Sequence, residues 1–166
     1  MNTELNFREA GYNDIPLIQQ LAGKIWRAHY TTFLQADHIE YMLQDKYSPA
    51  SLKEQMDEGQ VFTLIYLGDK PAGYIAIREK SPGHYFLHKF YIETDLHGKG
   101  IGTAAFHYAI EKYCKGFETI TLQVNRRNIK SVNFYFRHGF VIDRIHDFDI
   151  GNGTFMDDFV MILYAK

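Results

Sequence analysis

The stretch "YIETDLHGKGIGTAAFHYAIEKY", Tyr91 to Tyr113, joins an apolar, β-branched run to a helical pattern through three alternate glycines, Gly98, Gly100 and Gly102. Glycine allows backbone conformations and close approaches that a side chain forbids, so the segment reads as a strand delivered through a tight turn into a helix. The strand "TITLQV", a helix from Asn128 to His138 ended by Gly139, and the strands "FVIDRIHDF" and "FVMILYA" follow. Crossover helices between strands supply a parallel pair, whereas hairpins supply antiparallel ones.

Hairpins are visible upstream. "VFTLIYL", the turn "GDKP" and "AGYIAIRE" form one, and "HYFLHKFYI" follows as a third strand. Before them come a first strand, "LNFREA", and a helix in which Ile15, Ile18, Leu21, Ala22 and Ile25 recur at helical spacing. Asp14 is its expected N-cap, with Pro16 in the first turn. "ADHIEYMLQDKY" and "SPASLKEQMDEG" are two short helices, the second capped by Ser48, started by Pro49 and ended by Gly59. The expectation is a single α/β (α+β) domain over residues 1–166, with a central mixed, mostly antiparallel sheet flanked by helices.

Bulk properties narrow the function classes. A chain of 166 residues fits one domain, since domains run on the order of 100 to 200 residues. The net charge of −2 gives no field that would draw in nucleic acid, and Arg126 and Arg127 are the one adjacent basic pair. No apolar run approaches the roughly 20 residues of a membrane helix. A single cysteine, Cys114, forms no internal disulfide, and "MNTELNFREAGYND" lacks the layout of a secretion signal. A cytoplasmic protein without nucleic-acid or membrane partners is expected.

"HGKGIGTA" admits several readings. A Walker loop needs Ser or Thr after its Lys, but Lys99 precedes Gly100; a dinucleotide fingerprint needs G-x-G-x-x-G, but the spacing is G-x-G-x-G. A tight strand-to-helix turn is the bland reading. The amides of Gly98 to Thr103 would also be free donors at a helix N-terminus, which suits a diphosphate. "DFDIGNG" lacks the ligand spacing of a calcium loop. His84 and His88 stand roughly 13 Å apart on a strand, too far to share a metal. No metal is expected. Cys114 reads as core packing.

"LHGKGIGTAAF" resembles the acetyl-CoA pyrophosphate loop of the GCN5-related N-acetyltransferases (GNAT superfamily), with His97, Gly100 and Gly102 at the patterned positions and His97 replacing the usual Gln or Arg. "LQVNRRNIKSVNFYFRHGF" resembles the later motif of the same family, through Asn128, Ser131, Phe134, Tyr135, Gly139 and Phe140. The resemblance implies direct transfer of an acetyl group from acetyl-CoA, as co-substrate, to an amine. It places the co-substrate against Tyr91, Ile92, His97, Gly98, Lys99, Gly100, Ile101, Gly102, Thr103, Asn128 and Ser131. Tyr135 would donate a hydrogen bond to the leaving thiolate, and a main-chain amide around Phe90 to Ile92 would polarise the carbonyl. An amine with a pKa near 10.4 is neutral about once in 2,500 molecules at pH 7, so something must take its proton. His88 is one candidate, because it shares a strand face with Phe86, where some relatives carry a Glu; Glu93 is another.

The acceptor region of the family corresponds here to the Trp26–Tyr47 segment and to "DFDIGNGTFMDDF". Asp37, Glu40, Asp157 and Asp158 are candidates to attract a cationic amine, and Trp26, Tyr30 and Phe33 to cover its methylenes. A looser likeness to bacterial polyamine N-acetyltransferases points to a polyamine or other small diamine. A protein N-terminal or lysine amine is the alternative, as is an acetyl-CoA-binding regulatory module without turnover. Exposed final strands allow a homodimer.

Overall fold

The computed structural model describes residues 4–32, 34–151 and 153–166. In chain order the elements are β1 (Leu5–Glu9), α1 (Ile15–His29), α2 (Ala36–Tyr47), α3 (Pro49–Asp57), β2 (Val61–Leu67), β3 (Lys70–Ser81) and β4 (His84–Ile92). They continue with α4 (Ile101–Tyr113), β5 (Thr119–Asn125), α5 (Ile129–Arg137), β6 (Val141–Gly151) and β7 (Thr154–Tyr164). The strands make one seven-stranded sheet in the order β1-β2-β3-β4-β5-β7-β6, with β4 and β5 its parallel pair. This is the mixed, mostly antiparallel α/β sheet that the pattern predicts. No helix among the described residues is long and apolar enough to cross a membrane.

Local chemistry explains the element boundaries. The Ser48 hydroxyl accepts from the Ser51 amide at 3.2 Å, with Pro49 opening α3 behind it. Asp14 differs from expectation: it stands at the N-cap position of α1, but its side chain makes no capping bond. Its carboxylate instead accepts from the Arg8 guanidinium at 2.8 and 3.1 Å and from the Gly11 amide at 2.9 Å. A forked charge-assisted pair outcompetes a neutral amide. The last hairpin is also longer than the apolar runs imply, because β6 and β7 stay paired out to Gly151 and Thr154. Ladder pairing satisfies backbone groups that a loop would leave to water.

The two larger of three buried clusters among the described residues lie on opposite faces of the sheet. Ile18, Ile25, Ile39, Leu52 and Tyr74 pack together beneath α1–α3, while Ile75, Leu87, Phe106, Ile120 and Phe140 pack beneath α4 and α5. Tyr74 and Ile75 are consecutive and face opposite layers, as strand alternation requires. Cys114 belongs to the second core, and burial pushes its thiol up to about 12, so it is a packing residue.

β4 breaks its own alternation. The β3–β4 register shifts between Ala76↔Lys89 and Ile77↔Leu87, which leaves His88 as the extra residue of a bulge. Leu87 and Phe90, three positions apart, therefore pack on the α4–α5 side. His88 and Lys89 both turn to the other side: the His88 ring lies 4.6 Å from that of Phe86, and Lys89 reaches Gln55 and Gln60. Further along, β3 and β4 run so close that a Cβ on Gly73 would press into the Tyr91 carbonyl. Gly73→Ala is expected to destabilise the fold by about 1–3 kcal/mol, read as a fall in Tm of a few degrees in thermal unfolding followed by circular dichroism.

Candidate active site

β4 and β5 pair over four residues, His84↔Thr119 to Leu87↔Leu122, and then part. The wedge between them opens into a cavity of about 840 Å³ on the α1–α3 side. A groove of about 320 Å³ lies between the start of α4 and α5. His29, Phe90, Ile92, His97, Ser131 and Tyr135 border both spaces, so cavity and groove meet at these residues.

The wedge exposes backbone. The Glu93 amide donates to the Ala72 carbonyl across β3 at 2.9 Å. Amides along a strand alternate in direction, so those of Ile92 and Phe90 point the other way, into the wedge. The Ile92 carbonyl on that same side accepts from His97 Nε2–H at 2.9 Å. His97 thereby fills a backbone vacancy that the parting of the strands creates, a role its sequence position left open.

The glycine turn leads into α4. Gly98 and Gly100 both have φ of +78°, and Gly100 is the helix N-cap. The Ala104 amide bonds the Gly100 carbonyl at 3.1 Å as the first helical bond, which leaves the amides of Ile101, Gly102 and Thr103 as the open donors of the N-terminus. Gly98, Gly100, Gly102 and Thr103 line the groove, and Lys130 and Arg137 of α5 face them across it. Open amides and two cations fit a diphosphate. Lys99 is exposed and the Ile101 side chain is buried with Leu96 and Ala105, and neither residue lines the cavity or the groove.

α5 supplies the side chains opposite. Asn128 caps it, with Oδ1 accepting from the Ser131 amide at 3.3 Å and Nδ2 lying 3.0 Å from His29 Nε2. An amide NH₂ can only donate, so His29 Nε2 accepts and the ring is neutral there. Burial lowers the His29 pKa in the same sense, helped by His97 and Lys130. Tyr135 is buried where cavity and groove meet, and burial pushes its phenol well up, which keeps it a protonated donor.

An aromatic wall lines the α1–α3 side. Trp26 lies 4.4 Å from Tyr30 and 5.7 Å from Tyr91, and the Tyr30 and Tyr91 hydroxyls meet at 3.0 Å. Asp45, Glu54, Glu58, Asp149 and Asp158 bring five carboxylates to the cavity, against the ammonium groups of Lys46 and Lys89; Lys46 lies 3.3 Å from Asp45, and Arg78 lies 3.5 Å from Glu58. Burial, with Lys46 nearby, lowers Lys89 to about 7. The cavity therefore favours a cation.

The residues expected to act as base fare differently. His88 lines the cavity, but burial and the nearby Lys89, Lys80 and Arg78 lower it to about 3, and its buried Nε2 has no hydrogen-bond partner. A ring so reluctant to charge is a poor proton acceptor. Glu93 is buried off the cavity, with the Lys24 ammonium 3.0 Å from its Oε2. That carboxylate is engaged elsewhere. Of the residues expected against the co-substrate, Tyr91, Ile92, Asn128 and Ser131 border the cavity.

Of the acids singled out for the acceptor, Asp158 lines the cavity and Asp37, Glu40 and Asp157 do not. Glu40 pairs with Arg27 at 2.7 Å, and Asp157 lies 3.7 Å from both Arg126 and Arg127. Trp26 and Tyr30 line it; Phe33 lies outside the described residues. His29, Lys89, Asp45, Glu54 and Glu58 were missed, because helix packing and the β4 bulge, with no motif to mark them, bring them together. The period of α3, which places Ser51, Glu54, Gln55 and Glu58 on one face, was the available signal.

Residues 20–140 match the model of the acetyltransferase (GNAT) family. Streptothricin acetyltransferase A of Bacillus subtilis is 29% identical over 111 residues, which are 66% of this chain and 64% of that protein. The match thus spans just under two thirds of that relative's length. Spermidine N(1)-acetyltransferase of Thermoplasma acidophilum is 23% identical over 146 residues, 84% of this chain and 89% of that one. The crystal structure of the PaiA N-acetyltransferase of T. acidophilum in complex with coenzyme A superposes with a TM-score of 0.80 at 22% identity, over 98% of this chain and 99% of that chain. Such a likeness carries the fold.

A β-branched side chain at Gly100 meets a conformation that costs about 1–2 kcal/mol in an L-residue. Gly100→Val is therefore expected to weaken coenzyme A binding by on the order of tenfold, measured by isothermal titration calorimetry.

Proposed function

Because the chain belongs to the acetyltransferase (GNAT) family, whose members are acyltransferases with acetyl-CoA as co-substrate, we propose that it acetylates the primary amine of a small cation, with polyamines the leading acceptor class. The observation that carries this reading is the cavity itself: five carboxylates and an aromatic wall surround a space that meets the groove at Tyr135. Carboxylates attract the cation, and Trp26 and Tyr30 cover its methylenes. The likeness to a spermidine acetyltransferase supports the same class.

The chain's residues divide the work. Open amides of Gly98 to Thr103, with Lys130 and Arg137, hold the diphosphate of the co-substrate, which supplies the activated acetyl group. The amides of Phe90 and Ile92 face the wedge, where they polarise the carbonyl. The Tyr135 phenol, kept protonated by burial, donates to the departing sulfur. Asn128 and Ser131 border the passage, and His29 is held neutral against Asn128 so that no extra cation stands at the entrance. His88 serves as a neutral hydrogen-bonding partner in the cavity.

A cytoplasmic setting suits a chain that draws on acetyl-CoA. β6 forms one edge of the sheet and exposes Val141, Ile142 and Ile145, with Phe155 of β7 exposed beside them; this is the surface through which two copies would pair.

Acetyl-CoA-dependent thiol release across spermidine, putrescine, aminoglycosides, free amino acids and peptides with free N-termini tests the reading. Saturable release is expected with the polyamines; selective release with peptides would move the acceptor class to proteins. Release with no amine, despite tight acetyl-CoA binding, would make the protein a binding module. Tyr135→Phe is expected to lower kcat by roughly 100-fold while leaving the acetyl-CoA Kd within about twofold; full activity would remove the role given to the phenol.

A further inference from the structure

Asp158 is the buried acid of the cavity, and no hydrogen bond accounts for its Oδ1. Buried polar atoms in folded proteins almost always have partners, so an orphan directed into a cavity marks a place where a ligand completes the set. Its position is fixed from both sides, opposite Asn125 of β5 and His146 of β6 in the sheet register. The carboxylate is near enough to Tyr30 and Tyr91 to push both phenols up, and Tyr135 acts on the same two rings. Asp158, Tyr30, Tyr91 and Tyr135 all line the cavity, and Tyr135 also borders the groove.

Resting on the acetyltransferase reading, we propose that Asp158 is the catalytic base: its Oδ1 receives the incoming ammonium and takes the proton that the amine must lose before it can attack. The N–H bond breaks toward Oδ1, and the freed electron pair forms the C–N bond with the acetyl carbonyl carbon. As the C–S bond breaks, its electron pair leaves on sulfur, which Tyr135 stabilises by hydrogen bonding. The surplus proton of the nitrogen passes to that sulfur, and Asp158 returns its own proton to water. Ammonium and thioester thereby become amide, thiol and one released proton.

The surroundings suit this role. Burial raises the Asp158 carboxyl to about 6; Arg126 opposes the rise, while Asp157 and Asp147 reinforce it. The groups around it are Arg126, Asp157, Asp147 of β6, His146 of β6, and the phenols of Tyr30 and Tyr91, with Tyr135 on the same cavity. Arg126 leans toward Asp147 at 3.1 Å and donates to the Asp158 main-chain carbonyl at 3.3 Å, so the buried Oδ1 keeps no hydrogen-bond partner. A base with a pKa near the working pH combines ionisation with proton affinity.

The test is Asp158→Asn, assayed with acetyl-CoA and the best acceptor of the amine panel. The wild type is expected to show an acid limb in kcat/KM near pH 6, and a ¹³C carboxyl resonance of Asp158 titrating near the same pH without any ligand. In the variant, turnover at pH 7 should fall by roughly 100-fold or more. The acid limb should give way to a rate that rises tenfold per pH unit toward the amine's own pKa, because only amine already neutral can react. A folded-state carboxyl pKa raised above its unfolded value costs stability as pH rises through that interval. The variant, free of that cost, should melt at or above the wild-type Tm at pH 8.

A variant that keeps its turnover and acid limb overturns the base role. So does a uniform loss at every pH accompanied by a lower Tm, which would mean that Asp158 only supports the hairpin. Failure of the wild type to acetylate any amine overturns the acetyltransferase reading and this role with it, and the two failures are told apart by that wild-type control.

Discussion

The parting of β4 and β5 after four paired residues is the constraint on which the rest of the structure depends. Parallel neighbours in a sheet satisfy each other's backbone groups, and where they separate those groups must find other partners. One is met by His97, which folds back onto the Ile92 carbonyl. The amides of Phe90 and Ile92 remain directed into the opening. Because α4 and α5 each begin just past the ends of these strands, the glycine turn and the Asn128 cap flank the same gap. Ligand sites in open α/β sheets gather at the carboxyl ends of diverging strands for this reason.

Burial then does most of the chemical tuning, and it acts in one direction only: against charge. It pushes the phenols of Tyr30, Tyr91 and Tyr135 up, raises the Asp158 carboxyl, and lowers His88, His29 and Lys89. The outcomes differ because the groups do. A buried phenol stays a neutral hydrogen-bond donor, a carboxyl raised to about 6 gains proton affinity, and an imidazole lowered to about 3 loses it. One cavity therefore gives residues of similar sequence prominence different protonation behaviour.

The bulge at His88 illustrates how little of this is local. Strict alternation from Leu87 would send Lys89 toward α4 and α5, into the second core, where a lysine has no partner. The extra residue reverses the phase, so that Lys89 reaches the amide oxygens of Gln55 and Gln60 and Phe90 joins Phe106 and Phe134. The hydroxyls of Tyr47 on α2 and Tyr74 on β3 meet at 2.7 Å, another pairing between elements far apart in the chain.

What the sequence by itself determined is the set of features written in short range. Hydrophobic period fixed the type and order of the strands and helices, Pro49 and Ser48 fixed the start of α3, and alternate glycines fixed the turn into α4. The pattern from Asn128 to Phe140 marked the second wall of the site. These are legible because capping, period and glycine tolerance act within a few residues. The tertiary structure decided what depends on distance: that Asp14 turns to Arg8, that Glu93 is held by Lys24 away from the cavity, that burial and cationic neighbours hold His88 low, and that Asp158 is buried, without a partner at Oδ1, in the cavity that Tyr135 borders. Burial and pairing are set by groups far apart in the chain, and no local pattern records them.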